Sequence, residues 1–199
     1  MGAFSAEFVA RQLALSGAFE AHLTVETTRG DAFAALCSEL GVDCVAIELA
    51  SGAHHAQPMT ASHHRGTLAE VMIEIDALHA RIEAAGFPIV RTKLEATIAT
   101  DGIPTADGYF EFHVKVRVTD RIAELASLAE AHGGRLSRNE RSAGQRFVTL
   151  RSYTDRATAE ARLEALLAAL AGFERAGVVR EYTVYDSRIQ LDAGWLEPP

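Results

Sequence analysis

The chain has 199 residues, of which 48% are apolar and 23% charged, as in ordinary globular proteins. Its formal net charge of −8 argues against a general nucleic-acid-binding protein, because such proteins need excess lysine and arginine to release phosphate counterions. No apolar run approaches the ~20 residues that span a bilayer, and no secretory leader is recognisable at the N-terminus, so we expect a cytoplasmic protein without membrane partners.

The first half of the chain predicts strands and helices in a regular order. Residues 1–17 are expected to form an arm or a short helix, and strict apolar alternation over residues 19–25 predicts a half-buried strand. The following patterns predict helix 31–40, strand 43–49, strand 57–62, helix 67–85 and strand 88–95. This order is strand, helix, strand, strand, helix, strand.

The second half repeats this order after a linker at residues 100–108 that is rich in glycine, proline and aspartate. The patterns predict strand 109–118, helix 120–132, strand 135–139, strand 145–153, helix 158–173 and strand 178–186. A tail at residues 188–199 carries the single tryptophan, Trp195. Cys37 and Cys44 fall in a helix and at a strand start, which favours small core residues over a disulfide or a metal pair.

Three sequence landmarks recur at a nearly constant spacing. Phe19-Glu-x-His-x-x-Val25 returns 91 residues later, and both Met59-Thr60 and Val90-Arg91 have counterparts 89 residues later. An internal repeat explains this spacing, so we predict two tandem domains at residues 18–99 and 109–187. Each βαββαβ unit implies an α+β, ferredoxin-like domain whose antiparallel sheet carries its helices on one face, with strand order 4-1-3-2.

The sheet face away from the helices is expected to be polar. Strand alternation places on it Glu20, His22, Thr24, Arg91, Lys93 and Glu95 from the first unit, and Glu111, His113, Lys115, Arg180 and Tyr182 from the second, with Thr149, Arg151 and Tyr153 from a third strand. Burying such a face is costly without partners. It therefore faces water, pairs with the other unit or lines a site, and His22 and His113 converge if the two sheets face each other.

The segment His22-Leu-Thr-Val25 resembles the His-x-Thr motif that the 2H phosphoesterase superfamily carries once in each of two lobes. The resemblance implies that His22 and His113 act as acid and base on a phosphodiester and that Thr24 holds its oxygens. The second motif departs from the pattern, since Lys115 stands where a threonine or serine is expected. The Phe-Glu-x-His strand is also similar to one in uncharacterised bacterial proteins, which implies no activity.

These residues lead to an enzymatic hypothesis and a non-catalytic one. The first is a phosphoesterase that needs no metal or other cofactor and acts on a small nucleotide or RNA-end phosphodiester between the repeats, with catalytic His22, His113, Thr24 and Lys115. Its substrate-binding residues would be Glu20, Glu111, Arg91, Lys93, Arg138, Arg151, Arg180 and Tyr182. The alternative is a regulatory module or one that binds a small anion without catalysis, and either protein could form a homodimer.

Two further groups of residues have alternative interpretations. His54, His55, His63 and His64 bracket a short strand, and they are expected to be loop residues rather than ligands of Zn²⁺ or Ni²⁺, because adjacent histidines on an extended chain point in opposite directions. Arg138, Arg141 and Arg146 concentrate positive charge, which suits an anion site or an ordinary charged hairpin.

Overall fold

The computed structural model describes residues 2–11, 13–52, 54, 56–104, 108–139 and 144–196. The first half contains α1 (Ala6–Ala10), β1 (Ser16–Val25), α2 (Gly30–Leu40), β2 (Asp43–Leu49), β3 (Ala56–Thr67), α3 (Leu68–Ala84) and β4 (Ile89–Thr97). The second half contains β5 (Tyr109–Arg117), α4 (Ile122–Ala131), β6 (Gly134–Asn139), β7 (Gln145–Ser152), α5 (Arg156–Ala169) and β8 (Glu174–Asp186). A 3₁₀ helix, Ile189–Asp192, follows β8.

The described strands form one antiparallel sheet that closes into a barrel in the order β1-β3-β2-β6-β7-β5-β8-β4. Each half contributes four neighbouring strands in the order expected from its sequence, β4-β1-β3-β2 and β8-β5-β7-β6. The halves join edge to edge, β2 with β6 and β4 with β8. Two separate sheets that face each other across a cleft are therefore not observed, because pairing of the edge strands satisfies backbone groups that open sheets would leave exposed.

Alternation along the strands divides the chain between a core and the barrel interior. Ala21 and Leu23 of β1 are fully buried on the outer face, in the same apolar core as Val71 and Ile75 of α3. The alternate residues of the strands point inward, because successive side chains of a strand leave opposite faces. The polar face predicted from the sequence is thus the inner wall of the barrel.

Local sequence signals determine where the long helix α3 begins. The Thr67 hydroxyl accepts a hydrogen bond from the Glu70 backbone N–H, and the Glu70 carboxylate accepts one from the Thr67 N–H, at 2.8 Å. This capping box satisfies donors that a helix N-terminus otherwise leaves unpaired. At the end of α2, Gly41 adopts a left-handed conformation, with φ of 72°, that glycine reaches without a steric penalty.

β3 is longer than the sequence predicts. It runs from Ala56 to Thr67 because its later part pairs with β1, from Thr24 opposite Met59 to Ser16 opposite Thr67, and its first residues pair with β2, from Glu48 opposite Ala56. His63 and His64 therefore lie within a strand and not in a loop.

The chain after β8 closes one end of the barrel. Asp192 is buried among interior side chains, and the Trp195 indole N–H donates a hydrogen bond of 2.8 Å to the Leu136 carbonyl. Trp195 and Leu196 pack with Leu49 in a small apolar cluster separate from the main core. The segment is thereby anchored to both halves of the sheet.

Two further features concern the cysteines and the helices. Both cysteines are free thiols, Cys37 buried and Cys44 half-buried. In the part of the chain that the structure describes, no helix has the length and apolar character needed to cross a membrane.

Gly108, which leads into β5, is tightly enclosed, and its replacement tests the packing at the junction between the halves. A Cβ atom at this position would overlap the Thr183 carbonyl oxygen and lie 2.6 Å from Cζ of Tyr182. We expect Gly108→Ala to lower the free energy of unfolding by about 1–3 kcal/mol in urea denaturation, since backbone would have to shift. Gly177→Ala is the matched control, because nothing lies within 4 Å of a Cβ there; equal stability losses in both variants would contradict this packing.

Candidate functional site

The barrel interior contains a cavity of about 500 Å³ that both halves of the chain line. One wall is mainly apolar and is formed by Val45, Ile47, Leu49, Met59, Ala61, Phe147 and Trp195. The opposite wall is ionisable and is formed by Glu20, His22, Arg91, Lys93, Glu95, Glu111, His113 and Glu181. An enclosed space with this division suits a small molecule that has an apolar body and one polar end.

The exposure of the lining residues shows which end of the cavity is accessible. Arg91 and Asp192, near the C-terminal tail, are 4% and 3% exposed. Glu20 and His63 approach each other at 3.9 Å on neighbouring strands, and their side chains are 22% and 71% exposed. A ligand would therefore enter beside Glu20 and His63.

A network of buried ion pairs crosses the barrel. The Lys93 Nζ lies 2.7 Å from Oε1 of Glu95 on its own strand and 2.6 Å from Oε1 of Glu111 in the other half. Arg151 donates to Glu111 at 2.7 Å and to Asp192 of the tail at 2.6 Å. Although burial lowers the pKa of Lys93, the charges of Glu111 and Glu95 outweigh it and raise that pKa well above its ordinary value. These groups therefore remain charged.

Arg91 continues the network toward the closed end. It donates to both carboxylate oxygens of Asp186, at 2.9 and 2.6 Å, and to both oxygens of Asp192, at 3.0 Å each. The Tyr109 hydroxyl donates to Asp186 at 2.7 Å, and burial raises the pKa of this phenol well above its ordinary value. Paired bonds of this kind fix the guanidinium orientation, so Arg91 has a structural role at the base of the cavity.

His22 is arranged to carry a positive charge. Its Nδ1 lies 3.2 Å from the Thr60 carbonyl oxygen, which can only accept, so this nitrogen donates. Its Nε2 lies 3.2 Å from Glu95 and 3.6 Å from Glu20. Burial lowers the pKa of His22, but the hydrogen bond to Glu95 and the charges of Glu95 and Glu20 outweigh burial, and the pKa is raised. The protonated imidazolium is therefore favoured.

His113 has the opposite preference. Its Nδ1 lies 3.0 Å from the Thr149 hydroxyl, and its Nε2 lies 3.4 Å from Glu111 and 3.8 Å from Glu181. Burial lowers its pKa, and the attraction of Glu111 and Glu95 does not compensate, partly because Lys93 is nearby. His113 therefore favours the neutral imidazole, which is able to accept a proton.

Glu181 lacks the close lysine or arginine partner that the other buried acids of the cavity wall have. It is 4% exposed, and burial together with the charges of Glu95, Glu20 and Glu111 raises its pKa to about 9, against the opposing effect of Lys93. Its carboxyl group is therefore neutral near pH 7.

Glu95, His113 and Glu181 each offer one potential ligand atom for a metal, and these three atoms lie within 4.8 Å of one another. Both Glu95 oxygens already have cationic partners, since Lys93 lies 2.7 Å from one and His22 3.2 Å from the other. A metal ion would have to displace these partners, so the three side chains fit a metal poorly as they stand.

The structure brings together most of the site residues proposed from the sequence. Those that line the cavity are His22, His113, Thr24, Lys115, Glu20, Glu111, Arg91 and Lys93. Arg151 lies directly behind this wall, bound to Glu111 and Asp192. The three remaining residues, Arg138, Arg180 and Tyr182, lie elsewhere.

Arg180 and Tyr182 lie on the outer face of β8, which corrects the expected register. Glu181 is directly opposite Glu111, so the residues on either side of it point away from the cavity. Arg180 pairs with Glu160 of α5 at 3.2 Å, and the Tyr182 ring packs edge-on against Phe110 at 5.0 Å.

The physical reason is that the second half reaches its last strand with fewer residues than the first half. Thr24 is opposite Arg91, whereas its counterpart Lys115 is opposite Gly177, and each ladder has a register shift directly after this pair. The structural counterpart of Arg91 is thus Gly177 and not Arg180. The constant spacing of 89 residues does not hold along β8, and an odd error in spacing exchanges the two faces of a strand.

The basic segment and the histidine cluster do not form sites among the described residues. The Arg138 side chain is half exposed and pairs with Glu48, and Arg141 and His55 lie outside the described residues. His64 binds Glu74 of α3 at 2.6 Å, whereas His63 points toward Glu20. His63 and His64 therefore point to opposite faces of β3, as expected for neighbours on a strand.

Glu181 and Asp192 are acids of the site that are not predicted from the sequence, and neither is the apolar wall. Glu181 follows the alternation of β8 but is assigned to the inner face only when the register is known. Asp192 lies in a tail without periodicity, and no sequence signal indicates that it binds Arg91 and Arg151 inside the barrel.

Comparisons with known proteins do not identify a family. No family model and no curated protein matches the chain. Among solved structures, a presumptive monooxygenase of Fusobacterium nucleatum covers 94% of this chain and 98% of its own, with 8% identity and a TM-score of 0.35. The regulatory subunit of aspartate kinase from Thermus thermophilus covers 78% and 95%, with 17% identity and a TM-score of 0.34. The small subunit of acetolactate synthase from Thermotoga maritima covers 83% and 96%, with 16% identity and a TM-score of 0.30. Similarity this low carries no functional conclusion.

The raised pKa of Glu181 predicts a pH-dependent cost in stability. Because its pKa of about 9 exceeds the unfolded value near 4.5, the folded state holds a proton that the unfolded state releases between these values, and stability falls as pH rises. We expect Glu181→Gln to exceed the wild type in free energy of unfolding at pH 8 by more than about 1.4 kcal/mol, the equivalent of one pKa unit. In urea denaturation, the difference in free energy of unfolding between the variant and the wild type should shrink toward pH 4.5. A difference that does not change with pH would contradict the raised pKa of Glu181.

The two cavity histidines should titrate on opposite sides of the ordinary histidine pKa of 6.5. Histidine-labelled protein followed by NMR should show His22 titrating above this value and His113 below it, with assignments from His22→Gln and His113→Gln. The reverse order would contradict the hydrogen-bond arrangement.

Proposed function

We propose that this protein binds a small molecule inside the barrel and catalyses proton transfer on it. His113 acts as general base and His22 as general acid. The observation that carries this proposal is the position of both histidines on one cavity wall, where His22 binds Glu95 at 3.2 Å and Glu95 reaches within 4.8 Å of His113. Positioned acid–base pairs of this kind accelerate proton transfers by about 10²–10⁴-fold.

The protonation preferences of the two histidines support these roles. A base must begin neutral and an acid must begin protonated, and the pKa of His113 is lowered whereas that of His22 is raised. In one turnover His113 Nε2 takes a proton from the substrate and His22 Nε2 gives one to a different atom. Proton exchange with water through the open end then restores both rings.

The charge balance of the cavity favours a substrate that is neutral or positively charged. The buried cations Arg91, Lys93 and Arg151 each bind two carboxylates. They therefore offer little uncompensated positive charge to an anion. The apolar wall, which includes Met59, Phe147 and Trp195, suits the hydrocarbon part of such a substrate.

A phosphodiester is the second candidate substrate. It is favoured by the presence in one cavity of His22, Thr24 and His113, the residues that the 2H phosphoesterase resemblance implies, and of Lys115, which stands where that motif has a threonine or serine. Lys115 is half-buried, and its Nζ lies 5.9 Å from the Phe147 ring centroid. The small-ligand function without catalysis is the alternative if His22 and His113 only bind.

We also infer that the two halves derive from duplication of one ferredoxin-like unit. The identical strand orders and the repeated Glu-x-His strand support this inference. Domain boundaries at residues 18–99 and 109–187, with the linker at 100–108, and a cytoplasmic location belong to the same proposal.

The acid–base function can be tested without the natural substrate. The probe 5-nitrobenzisoxazole is a small apolar molecule from which a base removes the C3 proton while the N–O bond breaks, giving a coloured phenolate. We expect the wild type to catalyse this elimination, with a rate that rises with pH through the lowered pKa of His113, and His113→Gln to reduce the rate by about 100-fold. Absorbance at the phenolate band measures the reaction.

Two further variants distinguish catalysis in the cavity from catalysis at the surface. Ala61 is buried opposite His22, so Ala61→Phe should fill the cavity and abolish the reaction. His132→Gln, in a histidine at the end of α4 and outside the cavity lining, should leave the rate unchanged. A wild-type rate no greater than that of free imidazole at equal concentration would refute the acid–base proposal.

A further inference from the structure

The two halves of the cavity wall carry different residues at the position of Lys93, and this difference changes the charge beside one of their acids. In the first half, Glu20 is opposite Glu95, and Lys93 stands two residues before Glu95. In the second half, Glu111 is opposite Glu181, and the position two residues before Glu181 is Val179. The second half therefore has the carboxylates of the first without the lysine.

The consequence is visible in the partners of the two equivalent acids. Glu95 has the Lys93 Nζ at 2.7 Å, and its pKa lies well below the ordinary value, because the charges of Lys93 and His22 outweigh burial. Within the described residues the Glu181 side chain makes no hydrogen bond, and the only potential cation within 4.0 Å is the His113 ring at 3.8 Å. Glu181 is nonetheless 4% exposed and lines the cavity. Its carboxyl group thus faces the cavity without the close cationic partner that Glu95 has.

We infer that the cavity binds an organic ammonium ion whose nitrogen lies beside Glu181 as the Lys93 ammonium lies beside Glu95. By the same correspondence, Glu20 is the counterpart of Glu111, the second acid that Lys93 binds. The ligand ammonium would thus bridge Glu181 and Glu20 near the open end, with its hydrocarbon part against Phe147. This inference rests on the proposed binding of small molecules in the cavity and adds the chemical class of the ligand.

An ammonium fits this position better than a metal ion does. It has hydrogen-bond donors for carboxylates about 2.8 Å away and needs no direct coordination by Glu95. Both oxygens of Glu95, the carboxylate shared with the possible metal cluster, are already engaged by Lys93 and His22. The lysine of the first half shows that this barrel stabilises an ammonium between two such acids.

Binding should also change the protonation of the cavity. The ionisable groups that face Glu181 are Glu20 of β1, Lys93 and Glu95 of β4, and Glu111 and His113 of β5. A cation beside Glu181 favours its ionised form, so a proton that Glu181 holds at neutral pH should be released on binding.

Calorimetric titration with three matched probes tests the inference. 2-Phenylethylammonium chloride carries the cation, 2-phenylethanol is its neutral analogue, and phenyl phosphate is an anion of similar size. We expect the ammonium to bind at least 10-fold more tightly than either analogue at pH 7. Titrations in buffers of different ionisation enthalpy should show release of close to one proton.

Variants at the two inferred positions sharpen the test. Glu181→Gln should remove both the ammonium preference and the proton release, whereas Glu130→Gln, in an exposed acid of α4, should change neither. Val179→Lys supplies the lysine that the second half lacks and should abolish ammonium binding. Val179→Met fills similar space without a charge, and should retain a clear preference for the ammonium over the alcohol.

The remaining outcomes separate this inference from the proposed function. Equal binding of the ammonium and the alcohol, both blocked by Ala61→Phe, would overturn the ammonium inference and leave small-molecule binding intact. Tightest binding of phenyl phosphate would overturn it in favour of the phosphodiester candidate. Binding of MnCl₂ or ZnCl₂ that abolishes ammonium binding and requires Glu181 and His113 would overturn it in favour of a metal site. Absence of binding by every probe would overturn both proposals, whereas a failed elimination assay with intact ammonium binding would remove only the acid–base function.

Discussion

The ion pairs of Lys93 are the interaction on which the arrangement of the barrel interior depends. A buried charge costs several kcal/mol unless it is paired, and Lys93 is paired with Glu95 from its own half and Glu111 from the other. Arg151 and Arg91 are also buried, and both pair with Asp192 of the C-terminal tail. Separation of the halves or removal of the tail would leave buried charges without partners. The ion-pair network therefore fixes the positions of both halves and of the tail relative to one another.

The same network determines which groups remain available for chemistry. Most interior carboxylates are ionised and bound to a cation, so they do not readily exchange protons. His22, His113 and Glu181 are different, because the charges of their neighbours balance the cost of burial to different extents and shift their pKa values. Their protonation states respond to a ligand and to pH, whereas those of Lys93 and its partners do not. The groups whose protonation can change are therefore those whose charge the ion-pair network does not fully balance.

Divergence between the halves makes equivalent residues chemically different. His22 lies 3.2 Å from the ionised Glu95, whereas His113 lies 3.8 Å from the equivalent acid, Glu181, whose raised pKa keeps it neutral, although both histidines lie in the same position of the same strand motif. The pKa of the first is raised and that of the second is lowered. The proposed acid–base function depends on this difference, because a symmetric pair of histidines would compete for the same role. The loss of symmetry also leaves the uncompensated carboxyl of Glu181.

The elements, their order and the polarity of one sheet face can be predicted from the sequence, because apolar periodicity and capping residues act over a few neighbouring positions. His22, His113 and Lys93 can be predicted as site residues for the same reason, since each follows the alternation of a strand whose ends are clear in the sequence. The edge-to-edge joining of the two sheets cannot be predicted in this way, since pairing of β4 with β8 and β2 with β6 depends on backbone groups that carry no sequence pattern. The facing of Glu181 and not Arg180 into the cavity also depends on the tertiary structure, because the first and last strands are spaced differently in the two halves and an odd error in the assumed spacing exchanges the two faces. The interior position of Asp192 follows from that closure, because its partners Arg91 and Arg151 come from different halves and meet only inside the barrel.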